Sequence, residues 1–272
     1  MYEGYWGLTE PAFSLTPDPR FLYLSRGHED ALSMLHYAIT RNKGAAMLTG
    51  DIGLGKTTVT RKLIETLDPV ANRVILIVNP VLTPNQMLQE VLSQLGVETK
   101  SRQRQDLVQS LHRGVLEAYQ QGQRVIVLVD EAHLIKSAQT FEELRLLLNC
   151  QLNDQFLLNL ILVGQNELKE KINKVPALES RMAVRATLRP MDVVEVGEML
   201  LHRMQVAGYS GQRVPFTPDA VYQLHKYTNG YPRRVLQLAD NALLVCSAKK
   251  ALMVDAFMMV DVINDYEEAA AA

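Results

Sequence analysis

Cysteine is scarce in this chain: Cys150 and Cys246 are the two cysteines among 272 residues. Each lies in an apolar segment with helical character. Two isolated thiols in such surroundings supply neither a disulfide bridge nor a set of metal ligands, so we predict that both are buried and reduced. The scarcity therefore argues against a disulfide-stabilised protein and favours a cytosolic compartment.

The chain also lacks an excess of charge and any long apolar run. Its 28 lysines and arginines are balanced by 30 aspartates and glutamates, for a formal net charge of -2. No overall basic field attracts it to nucleic acid or to a membrane, although these totals are compatible with a local basic patch. No apolar run approaches the roughly eighteen residues of a membrane span, and residues 1–6 lack the features of a signal peptide. We expect a cytoplasmic protein without a membrane span.

A phosphate-binding motif follows the first strand-like run. Residues 50–57 fit the pattern G-x-x-x-x-G-K-[ST] and stand between a strand pattern and a helical one, which argues against an ordinary glycine-rich turn. The glycines let the backbone aim N–H groups at phosphate oxygens, and the positive end of the next helix adds to them. Lys56 would pair with the β and γ phosphates, and the Thr57 hydroxyl would hold Mg²⁺. The candidate nucleotide-binding residues are Gly50, Asp51, Ile52, Gly53, Leu54, Gly55, Lys56, Thr57 and Thr58.

Strand-like and helix-like segments alternate through the first part of the chain. Short apolar runs predict strands at residues 45–49, 74–78, 125–129, 158–163 and 183–188. Most of them show no polar alternation, as in a parallel sheet that is covered on both faces. Helical patterns lie between them at residues 57–67, 84–95, 105–121 and 140–151. This order predicts an α/β fold, a P-loop domain with a five-stranded parallel sheet flanked by helices.

The character of the chain changes after Pro190. Every later segment has a helical pattern, at residues 193–207, 218–228, 233–248 and 255–265. We predict four parts: an N-terminal strap at residues 1–30 that contributes to the nucleotide pocket, an α/β ATPase domain at 31–190, a small all-helical lid domain at 191–266 and a disordered tail at 267–272.

The N-terminal strap is rich in prolines and aromatic residues, namely Pro11, Phe13, Pro17, Pro19, Phe21 and Tyr23. In one interpretation it packs over the edge of the sheet. In the other, residues 21–28 form part of the adenine pocket, with Tyr23 as a nucleotide-binding residue. Both interpretations remain possible, because the phosphate motif identifies the triphosphate site but not the residues that contact the base.

Two adjacent acids end the third strand-like run. Asp130 and Glu131 leave the predicted sheet at its C-terminal edge, as the phosphate motif does. Asp130 would bind Mg²⁺ through water, and Glu131 would polarise the water that attacks the γ phosphate. A solvated Asp-Glu turn is the alternative, but carboxylates at the end of a buried strand need a reason, because desolvating them without partners is costly.

Two other nucleotide-dependent classes are disfavoured. Residues 130–133 spell the DEAH box of a helicase class, but those helicases resemble two tandem sheet domains, whereas one alternating unit is present here. We treat the spelling as coincidence. The nearest segment to the guanine-reading N-K-x-D motif of GTPases is residues 173–176, which lacks the acid.

Polar amides follow the fourth strand-like run at Gln165 and Asn166. If this strand neighbours the acid-tipped one, Gln165 would sense the γ phosphate and orient water. Capping of the following helix by both amides is the alternative.

Taken together, the phosphate loop, the acid-tipped strand, the polar-tipped strand, a fifth strand and the helical lid resemble the AAA+ ATPases. The resemblance implies ATP and Mg²⁺ as cofactors and two arginines that complete the site. Arg181 precedes the fifth strand, where clamp-loader-like members place the finger that reaches a neighbouring subunit; Arg185 is the second choice. Arg233, in Gly-Tyr-Pro-Arg, is similar to the lid arginine that touches the nucleotide of its own chain. A finger that acts on a neighbouring subunit implies a homo-oligomeric ring, such as a hexamer or heptamer. The alternative for either arginine is a surface salt bridge without a role at the nucleotide.

Within that superfamily the chain resembles the ExeA/GspA family, through residues 5–8, 11–25, 28, 162–165 and 230–243. These ATPases are associated with type II secretion, and a short relative serves mannose-sensitive pilus biogenesis. The resemblance implies secretion or pilus assembly proteins as partners, and attachment to the inner membrane only through them. By this resemblance, the secretion members of the family are longer chains, which carry a membrane span and a peptidoglycan-binding domain after the ATPase core. We therefore expect the short pilus-type, MshM-like architecture or a truncated form.

The same core also resembles the helper ATPases of transposition, which bind duplex DNA as nucleotide-dependent oligomers and recruit a transposase. Two basic clusters would then grip DNA phosphates: Lys100, Arg102 and Arg104, and Lys169, Lys171 and Lys174. Solvated surfaces are the commoner interpretation of such clusters, and the acidic balance favours it. Remodelling of a secretion or pilus complex is therefore the primary hypothesis, and the DNA-bound helper is the alternative.

Overall fold

The computed structural model describes residues 2–15, 18–152 and 155–271. These residues cluster into two compact units. Residues 28–52 and 59–188 form one of them, here called the sheet unit. Residues up to 27, residues 53–58 and residues from 189 onward form the other, the helical unit.

The sheet unit is built on a parallel five-stranded sheet. The strands are β1 (Ala45–Thr49), β2 (Asn72–Ile77), β3 (Arg124–Val129), β4 (Leu158–Gly164) and β5 (Met182–Thr187). Their spatial order is β2-β3-β4-β1-β5, and every neighbouring pair is parallel. The central strands β1 and β4 are buried along their whole length, whereas the edge strand β5 alternates between buried and exposed residues. The predicted five-stranded parallel sheet is therefore confirmed.

Helices pack around this sheet. They are α2 (Arg26–Thr40), α3 (Lys56–Thr66), α4 (Pro84–Gln94), α5 (Arg104–Gln120), α6 (Ala138–Leu147), α7 (Glu167–Asn173) and α8 (Pro176–Glu179). The helix expected at residues 140–151 ends earlier, and Gln151–Leu152 pairs antiparallel with Gln155–Phe156 instead. No helix was expected at α2. Its buried Ala31, Leu35 and Ile39 follow the four-residue helical spacing, so the sequence contains a signal for it.

The helical unit contains α1 (Glu3–Trp6), α9 (Val193–Val206), α10 (Pro218–Thr228), α11 (Pro232–Ala248) and α12 (Ala256–Ala271). Local signals explain the helix starts: Asp192 and Glu195 form a capping box, and Thr217 caps α10 ahead of Pro218. The predicted helical C-terminal region is confirmed. The last helix continues beyond the expected end at residue 265 and reaches Ala271.

The N-terminal segment packs into the core of the helical unit. Its buried side chains are Tyr2, Trp6, Leu8, Ala12, Phe13 and Phe21. The indole N–H of Trp6 donates to the Leu243 carbonyl at 3.3 Å. The Arg203 guanidinium donates to the carbonyls of Ala12, Ser14 and Phe21 at 2.9, 2.7 and 3.2 Å. Phe13 and Phe21 of the predicted strap are thus core residues of this unit, and Tyr23 packs against the core while partly exposed; Pro17 lies outside the described residues.

Cys150 and Cys246 are both buried and unbridged, which confirms the prediction of buried free thiols. Burial raises the pKa of the Cys150 thiol to about 11. Across residues 2–15, 18–152 and 155–271, no helix combines the length and apolar character that crossing a membrane requires.

Candidate functional site

The phosphate loop, residues 50–57, joins β1 to α3. Its first residues leave the C-terminal end of β1, which lies between β4 and β5 in the sheet. Lys56 is the first residue of α3, and it is buried with 7% of its surface exposed. In the same loop Leu54 is buried, while Asp51 and Ile52 are exposed. The N–H groups at the start of α3 suit an anion, because the first turn of a helix leaves them without partners inside the helix.

Within the helical unit, the phosphate loop touches the start of α11. Gly53 has a φ of +83°, and a Cβ at this position would lie 3.1 Å from the Cβ of Arg233. The left-handed backbone favours glycine here, and the closeness of Arg233 adds to that preference. Arg233 is the second residue of α11 and is exposed. Arg233 is the arginine that is expected to reach the nucleotide from the lid, and its Cβ thus lies beside the phosphate loop.

In the sheet unit, Asp130 and Glu131 lie directly after the C-terminal end of β3. Asp130 is 5% exposed, its backbone N–H donates to the Ile77 carbonyl of β2 at 2.8 Å, and its Oδ1 accepts from the Glu131 N–H at 2.9 Å. Glu131 has a φ of +51°, in the left-handed region that residues with a side chain rarely adopt. Such strain is concentrated at functional sites, where the surrounding structure holds it in place.

The polar end of β4 lies next to these acids in the sheet order. The Gln165 Nε2 lies 2.8 Å from the Nε2 of His133, and the Glu131 Oε2 lies 3.3 Å from the Nδ1 of the same ring. The Asn166 amide donates to the Asp51 Oδ1 of the phosphate loop at 2.6 Å. Asn166 occupies the N-cap position of α7 but makes no capping bond with its side chain. Its amide thus links the end of β4 to the phosphate loop.

Sequence reasoning missed His133. The ring of His133, the last residue of Asp-Glu-Ala-His, is buried between Glu131 and Gln165. The available signal was the position of His133, one short turn after the acid pair.

The remaining candidates occupy both units. Arg181, in the sheet unit, lies just before β5, where its guanidinium donates to the Asn149 Oδ1 at 3.0 Å and to the Arg145 carbonyl at 3.4 Å. The second choice, Arg185, forms an ion pair with Glu179.

Tyr23 belongs to the helical unit. Its hydroxyl donates to the Glu198 carboxylate of α9 at 2.5 Å, and burial together with this carboxylate raises the pKa of Tyr23. The Arg26 N–H donates to Glu195 of the same helix at 3.0 Å. Tyr23 and the start of α2 are therefore held against α9.

Comparison with known proteins defines the class. The sequence profile of the AAA domain matches residues 39–172. The fold is similar to Aeropyrum pernix ORC2 in its ADPNP–ADP complexes, with a TM-score of 0.66 and 16% identity, over 94% of this chain and 71% of that one. It is also similar to Thermotoga maritima RuvB, with a TM-score of 0.58 and 18% identity, over 89% of this chain and 69% of that one. The chain is an AAA+ ATPase.

A relative identifies the family within that class. General secretion pathway protein A of Aeromonas hydrophila is 36% identical over 253 residues, which is 92% of this chain. The chain therefore belongs to the ExeA/GspA family, as its N-terminal and lid motifs predict. It spans 45% of the length of that relative.

Proposed function

We propose that this AAA+ ATPase binds ATP with Mg²⁺ and hydrolyses it as a homo-oligomer, to drive assembly or remodelling of a type II secretion or type IV, MSHA-like, pilus system. The observation that carries the proposal is the Asn166–Asp51 hydrogen bond. It ties the strand end that holds Gln165 to the phosphate loop, and Glu131 reaches the same strand end through His133. The sheet unit thus links Asp51, at the start of the phosphate loop, to the groups proposed for phosphate sensing and water activation.

Each residue has a role in this proposal. Lys56 and the loop N–H groups bind the phosphates. The Thr57 hydroxyl and the Asp130 carboxylate are hard oxygen donors of the kind Mg²⁺ takes, and a buried carboxylate such as Asp130 gains from a cation. When bound, the ion supplies neutralisation of phosphate charge. Glu131 accepts a proton from the attacking water, and Gln165 holds the γ phosphate and the water in line.

The two arginines and Tyr23 complete the proposed site. Arg233 contacts the nucleotide of its own chain, and its position beside Gly53 supports this. Tyr23 borders the adenine. Arg181 acts on the nucleotide of a neighbouring subunit, because an arginine finger of this class serves an adjacent chain. A ring of six or seven subunits would place one finger at each site.

The biological process follows from the family. The relative is named as a general secretion pathway protein, which supports secretion or pilus assembly proteins as partners. We propose a cytoplasmic location, with attachment to the inner membrane through those partners. The competing role is that of a DNA-bound transposition helper. In the two basic clusters that would grip DNA, two cationic side chains already bind other groups of this chain. Arg104 pairs with Glu143 at 2.8 Å, and Lys171 donates to the Ile135 carbonyl at 2.9 Å.

The test measures ATP turnover, nucleotide affinity and particle size for the wild type, Glu131→Gln and Lys56→Ala. Glu131→Gln should bind nucleotide as the wild type does but lose about 100-fold or more in kcat, since it lacks the general base. Lys56→Ala should lose nucleotide binding. Lys62→Ala is the matched control, because Lys62 lies on the same helix and pairs with the exposed Glu65. Unchanged turnover in Glu131→Gln would remove Glu131 as the activating group.

The same assays repeated with and without duplex DNA separate the two processes. If turnover and particle size are the same with and without DNA, the secretion or pilus role is supported. DNA-stimulated hydrolysis in filaments or rings would overturn that role in favour of the transposition helper.

A further inference from the structure

His133 is the one side chain that contacts both the water-activating and the phosphate-sensing candidates within the described residues. Its ring is buried, with 6% of the side chain exposed. Nδ1 lies 3.3 Å from the Glu131 carboxylate, and Nε2 lies 2.8 Å from the Gln165 amide nitrogen. These residues come from the ends of two adjacent strands, β3 and β4.

The atoms around the ring hold it on both sides. The Gln165 backbone N–H donates to Nδ1 at 3.3 Å, and the Gln165 side-chain amide lies 2.8 Å from Nε2. The Glu131 Oε2 lies 3.3 Å from the same Nδ1. The ring of His133 is therefore fixed by two contacts with Gln165 and lies against the Glu131 carboxylate.

Part of the Gln165 amide stays available for the nucleotide. The side-chain amide is directed at His133, which fixes its orientation. An amide nitrogen has two N–H groups, so one N–H of Gln165 remains to donate to an oxygen of the γ phosphate.

The position of the ring depends on two further residues. A Cβ on Gly164 would lie 3.1 Å from the His133 backbone nitrogen and 3.3 Å from its Nδ1, so glycine at the end of β4 allows the close approach. The Lys171 ammonium group, on α7, donates to the carbonyls of His133 and Ile135. His133 is thus fixed by contacts at its backbone carbonyl as well as at its ring.

We propose that His133 is a positioning residue that couples the Gln165 amide to the Glu131 carboxylate, so that contact of Gln165 with the γ phosphate sets the carboxylate for water activation. The coupling rests on the proposed ATPase site. His133 itself touches neither nucleotide nor water in this mechanism. Its loss should therefore lower kcat while nucleotide affinity is retained.

The experiment compares kcat, KM and the Kd of a fluorescent ATP analogue for His133→Ala, His133→Asn, Gln165→Ala and the double variant His133→Ala/Gln165→Ala. His133→Ala should lower kcat about 10- to 100-fold, the range expected when a reacting group is misplaced, with KM and Kd within about threefold. The Asn amide keeps a polar group beside Glu131 and Gln165, so His133→Asn should have a kcat between those of the wild type and His133→Ala.

The double variant tests coupling directly. If the two residues act as one unit, its kcat should lie within about threefold of the poorer single variant. Multiplied losses would overturn the coupling, and so would an unchanged kcat in His133→Asn. His133→Asn keeps a polar group in the buried position and carries the test if the alanine variant does not fold. His112→Ala, on the exposed face of α5, is the control and should match the wild type.

The outcome is separable from that of the proposed function. Turnover that is lost in Glu131→Gln but unchanged in the His133 variants would leave the ATPase site in place and overturn the coupling alone. Turnover that survives Glu131→Gln would overturn the assignment of Glu131 itself.

Discussion

Gly53 and Arg233 lie in direct contact: a Cβ on the glycine would stand 3.1 Å from the Cβ of the arginine. The two residues are 180 positions apart, one in the phosphate loop and one at the start of α11. The contact anchors the base of the arginine side chain, while the guanidinium is exposed and able to reach an anion. Arginine suits this role because its planar, permanently charged group matches phosphate oxygens.

Arg233→Ala should therefore lower kcat about 100-fold, the typical cost of removing one electrostatic group from a transition state. Arg234→Ala is the matched control, since Arg234 is the next residue on α11 and equally exposed. Steady-state ATPase rates with a malachite-green phosphate assay compare the two variants. Equal rates for both would rule out a specific role for Arg233.

Arg181 is predicted to act on a neighbouring subunit. Arg181→Ala alone should be inactive, and so should Glu131→Gln alone. Mixing the two should restore part of the activity, because a Glu131→Gln subunit still carries the finger and an Arg181→Ala subunit still carries the general base. ATPase rates across mixing ratios measure the effect. No recovery, or full activity of Arg181→Ala at low protein concentration, would contradict action in trans; loss in Arg185→Ala alone would transfer the role to the second choice.

Arg203 should be essential for holding the N-terminal segment. Its guanidinium donates to three backbone carbonyls, and its Cζ lies 5.1 Å from the centre of the Phe21 ring. Lysine cannot reproduce this planar fork, so Arg203→Lys should reduce the free energy of unfolding by about 2–4 kcal/mol. Urea denaturation followed by circular dichroism measures the change. Arg213→Lys, at an exposed position of the same unit, should leave the midpoint unchanged.

Cys150 should make stability fall at alkaline pH. Burial raises the pKa of its thiol from an ordinary 9.0 to about 11, so the unfolded chain releases the proton at a lower pH than the folded one. The stabilising contribution is complete below about pH 9 and is lost as the pH rises to about 11. The difference in unfolding free energy between the wild type and Cys150→Ala should shrink over this window. A difference that is independent of pH would show that the thiol does not titrate differently on folding.

Much of the fold could be predicted because its signals are local. The β1 strand and α10 have the predicted bounds, since an apolar run and a Thr-Pro start signal are properties of a few adjacent residues. Helix α2 was not predicted, although its spacing of buried residues is equally local; it follows directly after a proline-rich segment, which is not a helical pattern. The helix predicted at residues 140–151 was too long, because α6 ends at Leu147 and Gln151–Leu152 pairs with Gln155–Phe156, a partner that lies outside the local pattern.

The sequence by itself determined the phosphate loop, the acid pair after β3 and the alternation that produces a parallel sheet, because each is written in contiguous residues. The tertiary structure alone decided which distant groups meet. Placing β3 beside β4 brings His133 to Gln165, and packing of the aromatic N-terminal segment into the helical unit brings Trp6 to Leu243. Such contacts depend on strand order and on the burial of apolar surface, neither of which any short stretch of the chain specifies.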